Sequence, residues 1–346
     1  MNYSIIDLGS NTVRLSVYRC DGQSLQVLFS RKVNLGLAGY IQGGILAEIG
    51  IQRAIGVLRM FQDTLNNLNL EQPHVLATAS LRNIDNRTEA QSRIEQAIGL
   101  PIDILSGEEE ARFSFLGTRM EHASASALVV DIGGGSAEIT LSNGEEIIEA
   151  ISLPLGSLNL IPKEPLLGKN RILMTKAEHK RVKSLVETAL KDYPKLRGKH
   201  VPTMIGVGGT IRATGRLNQE VYQLPPEDRS IESTHIKEMT KLLIDDETVG
   251  LDLILRTAPD RVKTLLYGMT ILQTIVKHFR CEKVLVSRFG VREGYLLERL
   301  LVCKSGDPLP KWSVAMSESD WERYPELDAE LQETGKDGPK PPLSNE

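Results

Sequence analysis

Two stretches of this chain place a carboxylate at the end of an apolar run, with a glycine turn after it and a second apolar run beyond. The first is Ile5-Ile6-Asp7-Leu8-Gly9-Ser10-Asn11, followed by Val13, Leu15 and Val17 in alternation. The second spans residues 127–140, where Asp131 precedes Gly133, Gly134, Gly135 and Ser136, and Glu138 lies on the outgoing run. Glycine has no Cβ, so such a turn can take positive φ and bring several N–H groups onto one anion. That makes a phosphate cradle with a carboxylate on either side. A single turn of this kind could equally be a tight hairpin. Its occurrence twice, with Asp7 matching Asp131, points to a duplicated fold. In each copy the residue seven after the Asp is charged, Arg14 in one and Glu138 in the other.

A third glycine motif, Gly206-Val207-Gly208-Gly209-Thr210, follows a strand and opens a helix. Helix N-termini bind anions, so Gly208, Gly209 and Thr210 are candidates for a more distal phosphate or a base. Arg82 falls just past the expected strand 74–79, where a side chain either reaches a crevice or is solvated. Ser106 with Glu109 three residues on is a capping box, which places Glu108, Glu109 and Glu110 in a first helical turn. Acids there complement the helix dipole, and one beside a domain boundary can also orient a water; Glu110 is that candidate.

Phosphoryl transfer asks for backbone donors, a divalent metal on carboxylates, and an arginine. The expected metal ligands are Asp7, Asp131 and Glu138, holding Mg²⁺ (or Mn²⁺) partly through water. Gly9, Ser10, Asn11, the Gly133 to Ser136 turn and Arg82 are expected to hold the phosphoryl group. Glu110 or Glu138 would deprotonate or orient the attacking water.

The elements that must position these residues follow from periodicity. Residues 25–34 read as a third strand, 47–70 as a helix with Ile51, Ala54, Ile55, Leu58, Phe61, Leu65 and Leu68 inward, 88–98 as a helix and 102–105 as a strand. Residues 122–126 are expected to cross between domains. The second domain repeats the plan with strands 137–142 and 146–153 around Asn143-Gly144. Residues 154–168 read as loop. From 169 to 199 the chain carries ten Lys or Arg against three acids, either the wet face of a helix or a track for a polyanion. Helices are expected over 231–245 and 262–278, and a strand over 283–287 before a last helix to about residue 301. This divides the chain into residues 1–124, residues 125–303, whose last helix is expected to pack back on the first domain, and a weakly ordered tail 304–346 with ten acids against five bases.

Composition bounds the function. A chain of 346 residues with 41% hydrophobic and 25% charged residues is ordinary for a globular protein of two domains. Its net charge of -4 argues against general nucleic-acid binding. Three scattered cysteines, no apolar run near the length of a membrane span and no secretory leader point to a cytoplasmic protein without disulfides and without membrane attachment.

In order along residues 3–301, the motifs at Asp7, Ala79 to Arg82, Ser106 to Arg112, Asp131 to Glu138, Gly206 to Thr210 and Gly290 to Gly294 resemble the exopolyphosphatase/guanosine pentaphosphate phosphohydrolase family. The resemblance implies an α/β chain of two ribonuclease-H-like domains, of the actin, sugar-kinase and chaperone-ATPase type, facing across a cleft. It implies Mg²⁺-dependent hydrolysis of a terminal phosphoanhydride in polyphosphate or guanosine pentaphosphate, and a homodimer. It makes Glu110 the catalytic base, gives Arg82 a grip on phosphate, and assigns Asp131, the glycines and Glu138 to the metal-bound terminal phosphate. Arg288 stands where similar proteins often have a small or acidic residue, the chain is too short for the C-terminal helical domain of the longer members, and the stretch after Cys303 matches nothing in the family. A kinase of the same fold and a non-catalytic polyphosphate or alarmone sensor are the competing readings.

Overall fold

The computed structural model describes residues 1–22, 24–122, 128–144, 146–162, 171–303 and 309–314. Residues 123–126 of the expected domain crossing, residues 163–168 of the loop 154–168 and most of the tail lie outside them. The first sheet starts as an antiparallel meander of β1 (Asn2–Leu8), β2 (Thr12–Cys20) and β3 (Ser24–Asn34). A short hairpin, β4 (Ile41–Gln42) with β5 (Ile45–Leu46), leads to α1 (Glu48–Asn67). Then follow β6 (His74–Ala77), α2 (Ala79–Arg82), α3 (Arg87–Ile98), β7 (Ile102–Ile104) and α4 (Gly107–Thr118). Strands β6 and β7 add to β1 in parallel.

The second sheet repeats this build with β8 (Leu128–Ile132), β9 (Ala137–Ser142) and β10 (Ile147–Leu153) as the meander. Next come α5 (Lys176–Leu190), β11 (Thr203–Val207), α6 (Gly209–Tyr222), β12 (Ser230–Glu232), α7 (Ser233–Asp245), α8 (Glu247–Thr257), α9 (Leu265–Phe279), β13 (Lys283–Val286) and α10 (Val291–Tyr295). A last strand, β14 (Lys311–Val314), returns to the first sheet and runs parallel to β3. The orders are β14-β3-β2-β1-β6-β7 and β10-β9-β8-β11-β13-β12. Leaving out the edge strands β14 and β12, both sheets read third, second, first, fourth, fifth, the duplicated ribonuclease-H-like arrangement of the actin-like ATPases.

Burial explains most boundaries. On α1 the stripe Ile51, Ala54, Ile55, Leu58, Phe61 and Leu65 is buried, as its spacing predicts, whereas Leu68 is 52% exposed because the helix has already ended at Asn67. Residues 230–232 are strand, against the helix expected from 231: Ile231 is fully buried opposite Val284, so β-pairing wins over helical continuation. Helix α9 starts only at Leu265, after a 3₁₀ turn at Pro259–Arg261, and is apolar nearly all round because other elements cover it on every side. Helix α8 has no counterpart among the elements expected from periodicity; Asp246 caps it by accepting from the Val249 N–H at 3.1 Å. Strand β14 is an ordered part of the stretch expected to be weakly ordered. No helix among the described residues is long and apolar enough to cross a membrane, and Cys20 and Cys281 are buried thiols outside any disulfide.

Helix α4 joins the two halves. Phe113 packs with Ile5, Tyr18 and Leu76 of the first sheet and with Tyr295 of α10, while Phe115 packs with Val129, Ile205 and Val207 of the second. Its backbone meets α10 so closely that a Cβ at Gly117 would lie 2.1 Å from the Gly290 carbonyl oxygen, and one at Gly294 would lie 1.9 Å from that of Phe113. Thr140 Oγ1 donates to the Ala111 carbonyl at 2.9 Å. The first turn of α4 is thereby fixed against both sheets, and that turn carries Glu110.

Candidate active site

The two glycine turns are the same structure. Gly9 N–H donates to the Thr12 carbonyl and Gly133 N–H to the Ser136 carbonyl, each at 3.0 Å. Asp7 stands opposite Arg14, and Asp131 opposite Glu138, in the corresponding registers. The charged residue seven places after each Asp is therefore its cross-strand partner. The turns also touch: a Cβ at Gly135 would sit 2.7 Å from Ser10 Oγ and 3.1 Å from Ala79 Cβ. None of Gly133, Gly134 and Gly135 has positive φ, against the expectation; what demands glycine at Gly135 is this close approach, and at Gly134 the Leu158 side chain, 2.8 Å from where a Cβ would sit. The carbonyls of Gly133 and Gly134 accept from Ser157 N–H and Leu158 N–H at 2.9 Å, and that of Gly135 from Asn159 Nδ2 at 2.8 Å. With these oxygens engaged, less negative charge faces an incoming anion.

One cleft gathers most of the expected residues. Asp7, Gly9, Ser10, Asn11, Glu110, Asp131, Gly133 to Ser136, Gly208 and Gly209 all line it. Gly208 has φ +95°, and a side chain there would run into Asp131, its Cβ lying 2.5 Å from Oδ1. Asp131 Oδ2 accepts from Ser114 Oγ of α4 at 2.9 Å.

Three expected residues lie elsewhere. Thr210 is 1% exposed and packs against Gly268. Glu138 is 1% exposed and accepts from Ser152 Oγ at 2.7 Å, behind the cleft wall. Arg82 is also behind it, lining a second depression with Gly107, Ser152 and Tyr193. Its NH1 donates to Glu110 Oε2 at 2.6 Å and to the Leu105 carbonyl at 3.1 Å, while NH2 lies 3.3 Å from Ser152 Oγ and 3.6 Å from Glu138 Oε1. In this geometry Arg82 holds Glu110 and does not line the cleft. No described residue of the basic stretch 171–199 lines the cleft either.

Sequence reasoning gave no phosphate role to the cations that do line it, Arg14, Arg212, Arg261, Arg288 and Arg292; Arg14 stood out there only as the charged match to Glu138, and Arg288 only as a departure from the family at the cleft wall. Arg212 was findable, since it follows Gly208 by one helical turn on the same face. Arg261 carries no local signal; it comes from the 3₁₀ turn before α9 and lies on the Gly209 backbone.

Burial raises the proton affinity of all four carboxyls, and the charge of Asp131 adds to it in the other three. Burial pushes Glu110 up to about 7, Arg82 opposes it, and the charges of Asp131 and Asp7 add to it. Asp7 is raised by burial and by Asp131, against Arg292 and Arg14. Asp131 is raised by burial, against Ser114, Arg212 and Arg292. Glu138 is pushed well up by burial, then by Glu110 and Asp131. Crowded oxygen donors of this kind fit a hard divalent cation such as Mg²⁺, which takes one or two carboxylates and keeps its waters. Among the described residues no group of three or more side chains converges as a ready-made metal cage. The fit is therefore to a hydrated ion shared with phosphate, on Asp7 or Asp131 rather than on the enclosed Glu138.

Comparison with known proteins follows the same line. The model of the Ppx/GppA phosphatase family matches residues 16–302. A guanosine-5'-triphosphate,3'-diphosphate pyrophosphatase of Vibrio cholerae is 30% identical over 305 residues, which cover 86% of this chain and 59% of that protein. One of the same description from Photobacterium profundum is 28% identical over 307 residues. This chain thus spans about three-fifths of the length of these curated relatives. The crystal structure of the Aquifex aeolicus member of the Ppx/GppA family superposes with a TM-score of 0.70 at 27% identity, covering 87% of this chain and 98% of that one. An exopolyphosphatase structure from Cytophaga hutchinsonii gives a TM-score of 0.75 at 21% identity over 89% of this chain, a likeness of fold.

Proposed function

This chain belongs to the Ppx/GppA phosphatase family, and on that premise we propose that it hydrolyses the terminal phosphoanhydride bond of a phosphate chain, inorganic polyphosphate or guanosine pentaphosphate, with Mg²⁺. The observation that carries the reading is Glu110: a buried carboxyl with its proton affinity raised to about 7, held by Arg82 at 2.6 Å, on the wall of a cleft between two facing glycine turns. A group with that affinity is poised to take a proton near neutral pH.

The residues divide the work as follows. The Ser10 hydroxyl, Asn11 and the N–H groups of Gly134, Gly135 and Ser136 hold the terminal phosphoryl group. Glu110 accepts a proton from water as the water oxygen bonds to phosphorus; the bridging P–O bond breaks, and the shortened chain leaves with that oxygen. Arg82 keeps the Glu110 carboxylate aimed and partly neutralised. Arg14, Arg212, Arg261 and Arg292 stabilise the negative charge of the chain, and among the described residues the lining contains no aromatic ring, which supports recognition of phosphates rather than of a base. Mg²⁺ on Asp7 or Asp131, when bound, would supply further charge neutralisation at the phosphoryl oxygens.

The test is release of orthophosphate from medium-chain polyphosphate and from guanosine pentaphosphate with Mg²⁺. Release from either supports the hydrolase and ranks its substrates. Binding of both without release would put a sensor in its place, and phosphoryl transfer to an added acceptor a kinase.

A further inference from the structure

Two stretches that the motifs leave unexplained meet in the structure. Arg288, between β13 and α10, lines the cleft. Strand β14, from the stretch after Cys303, brings Trp312 beneath it, with the guanidinium carbon 5.1 Å from the ring centroid. The same ring meets Phe289, itself 2% exposed, edge to face at 4.9 Å. Glu121 holds the same residue at two points: its Oε2 accepts from the Arg288 backbone N–H at 2.9 Å, and its Oε1 lies 3.4 Å from NH1.

We propose that Arg288 is an additional phosphate-contacting cation of the cleft and that Trp312, carried in by β14, is the residue that positions it. The inference rests on the phosphate-chain reading of the site. An arginine side chain loses much rotamer freedom when it is held. Here that ordering is done before ligand arrives, because the ring covers one face of the guanidinium and Glu121 fixes an edge. Planar donors kept in one orientation suit phosphate oxygens, which accept from guanidinium in paired hydrogen bonds. Glu121 also keeps the cation from being an uncompensated charge in the ligand-free cleft, and a phosphate chain, with more charge than one carboxylate, outcompetes it for the guanidinium. The position of β14 ties this to the fold: Trp312 pairs in register with Leu25 of β3, and so stands at a fixed place on the sheet edge.

Trp312 and Trp321 are the two tryptophans of the sequence, so Trp321→Phe makes Trp312 the sole emitter. The experiment titrates the full chain in that background with medium-chain polyphosphate, in a metal chelator that prevents turnover, reading fluorescence and calorimetric affinity together. The expected result is an emission change that saturates with binding. Arg288→Ala should abolish that change and weaken affinity about tenfold, the size of one charge-assisted hydrogen bond. In the background that retains Trp321, Trp312→Leu should weaken calorimetric affinity roughly threefold and Trp312→Phe should restore most of it, since a ring still faces the cation. Thermal melts of each variant identify loss of folding. Calorimetric binding with affinity within twofold of wild type in Arg288→Ala would overturn the assignment of Arg288. Equal affinities for folded Trp312→Leu and Trp312→Phe would overturn the role of Trp312. Absence of any polyphosphate binding by wild type, both in chelator and with Mg²⁺, would instead overturn the phosphate-chain reading, and the proposal with it.

Discussion

Replacing Glu110 by Gln should stabilise the protein at alkaline pH and leave it unchanged in mild acid. The amide keeps the shape of the protonated acid and cannot ionise. Glu110 has a folded-state proton affinity of about 7, above its ordinary 4.5, first because burial removes its hydration and then because Asp131 and Asp7 repel its charge. For a group raised in this way, the stabilising contribution is complete below the unfolded value and is lost as pH rises through about 7. Ionising Glu110 in the folded protein therefore costs about 3 kcal/mol by pH 8, at 1.36 kcal/mol per unit. The attraction of Arg82 is already contained in that shift. For a chain of this size it corresponds to a melting temperature higher by roughly 5 °C in the variant at pH 8, shrinking toward zero at pH 5. The assay is a pair of thermal melts, wild type and variant, across pH 5 to 8 in a metal chelator. Adding Mg²⁺ should narrow the gap at pH 8, because a cation among the carboxyls relieves the same repulsion that the substitution removes. A gap that is flat with pH, or larger at pH 5, would refute the claim that Glu110 is forced to carry its charge in a buried site.

Further outcomes follow from the same geometry. The rate constant kcat/KM on polyphosphate should fall as pH drops through about 7 with the slope of one proton, because the base must be ionised to act; a profile flat from pH 6 to 8 would exclude Glu110 as that base. Arg82→Lys should lower kcat at least tenfold and move this limb to higher pH while changing KM less than threefold, since Arg82 contacts Glu110 and lies off the cleft wall. A large rise in KM with kcat preserved would instead mean direct contact with substrate. Gly117→Val should lower the urea midpoint by the equivalent of about 3 kcal/mol or more, as its Cβ would meet the Gly290 carbonyl at 2.1 Å and neither backbone can yield cheaply.

What the sequence made legible was the part written in local pattern. The paired Asp-Gly turns specify both hairpins; that the charged residues seven places on, Arg14 and Glu138, are the cross-strand partners of Asp7 and Asp131 came from the structure. The capping box at Ser106 and Glu109 forms as read and sets Glu110 one position further into the helix. What stayed hidden depends on contacts between distant segments. Whether Glu138 reaches the cleft is decided by Ser152 and Arg82, from β10 and α2, and Arg261 reaches Gly209 only because α9 packs beside α6. Strand β14 alternates polar and apolar residues over only four positions, Lys311 to Val314, too few to mark a strand by pattern, and it is ordered by the open edge of β3 and by Phe289. The glycine turns show the limit most clearly: at Gly135 the residue type was read correctly as necessary, but the reason is the Ser10 hydroxyl of the opposite turn, not the sign of φ.

The most direct test of the central claim compares wild type and Glu110→Gln for both polyphosphate binding and orthophosphate release with Mg²⁺ at pH 8. If Glu110 activates water in a cleft whose phosphate contacts come from the two glycine turns, the variant binds polyphosphate at least as tightly as wild type and loses release by a factor of about a hundred or more. Release retained within a few-fold in the variant would contradict the account.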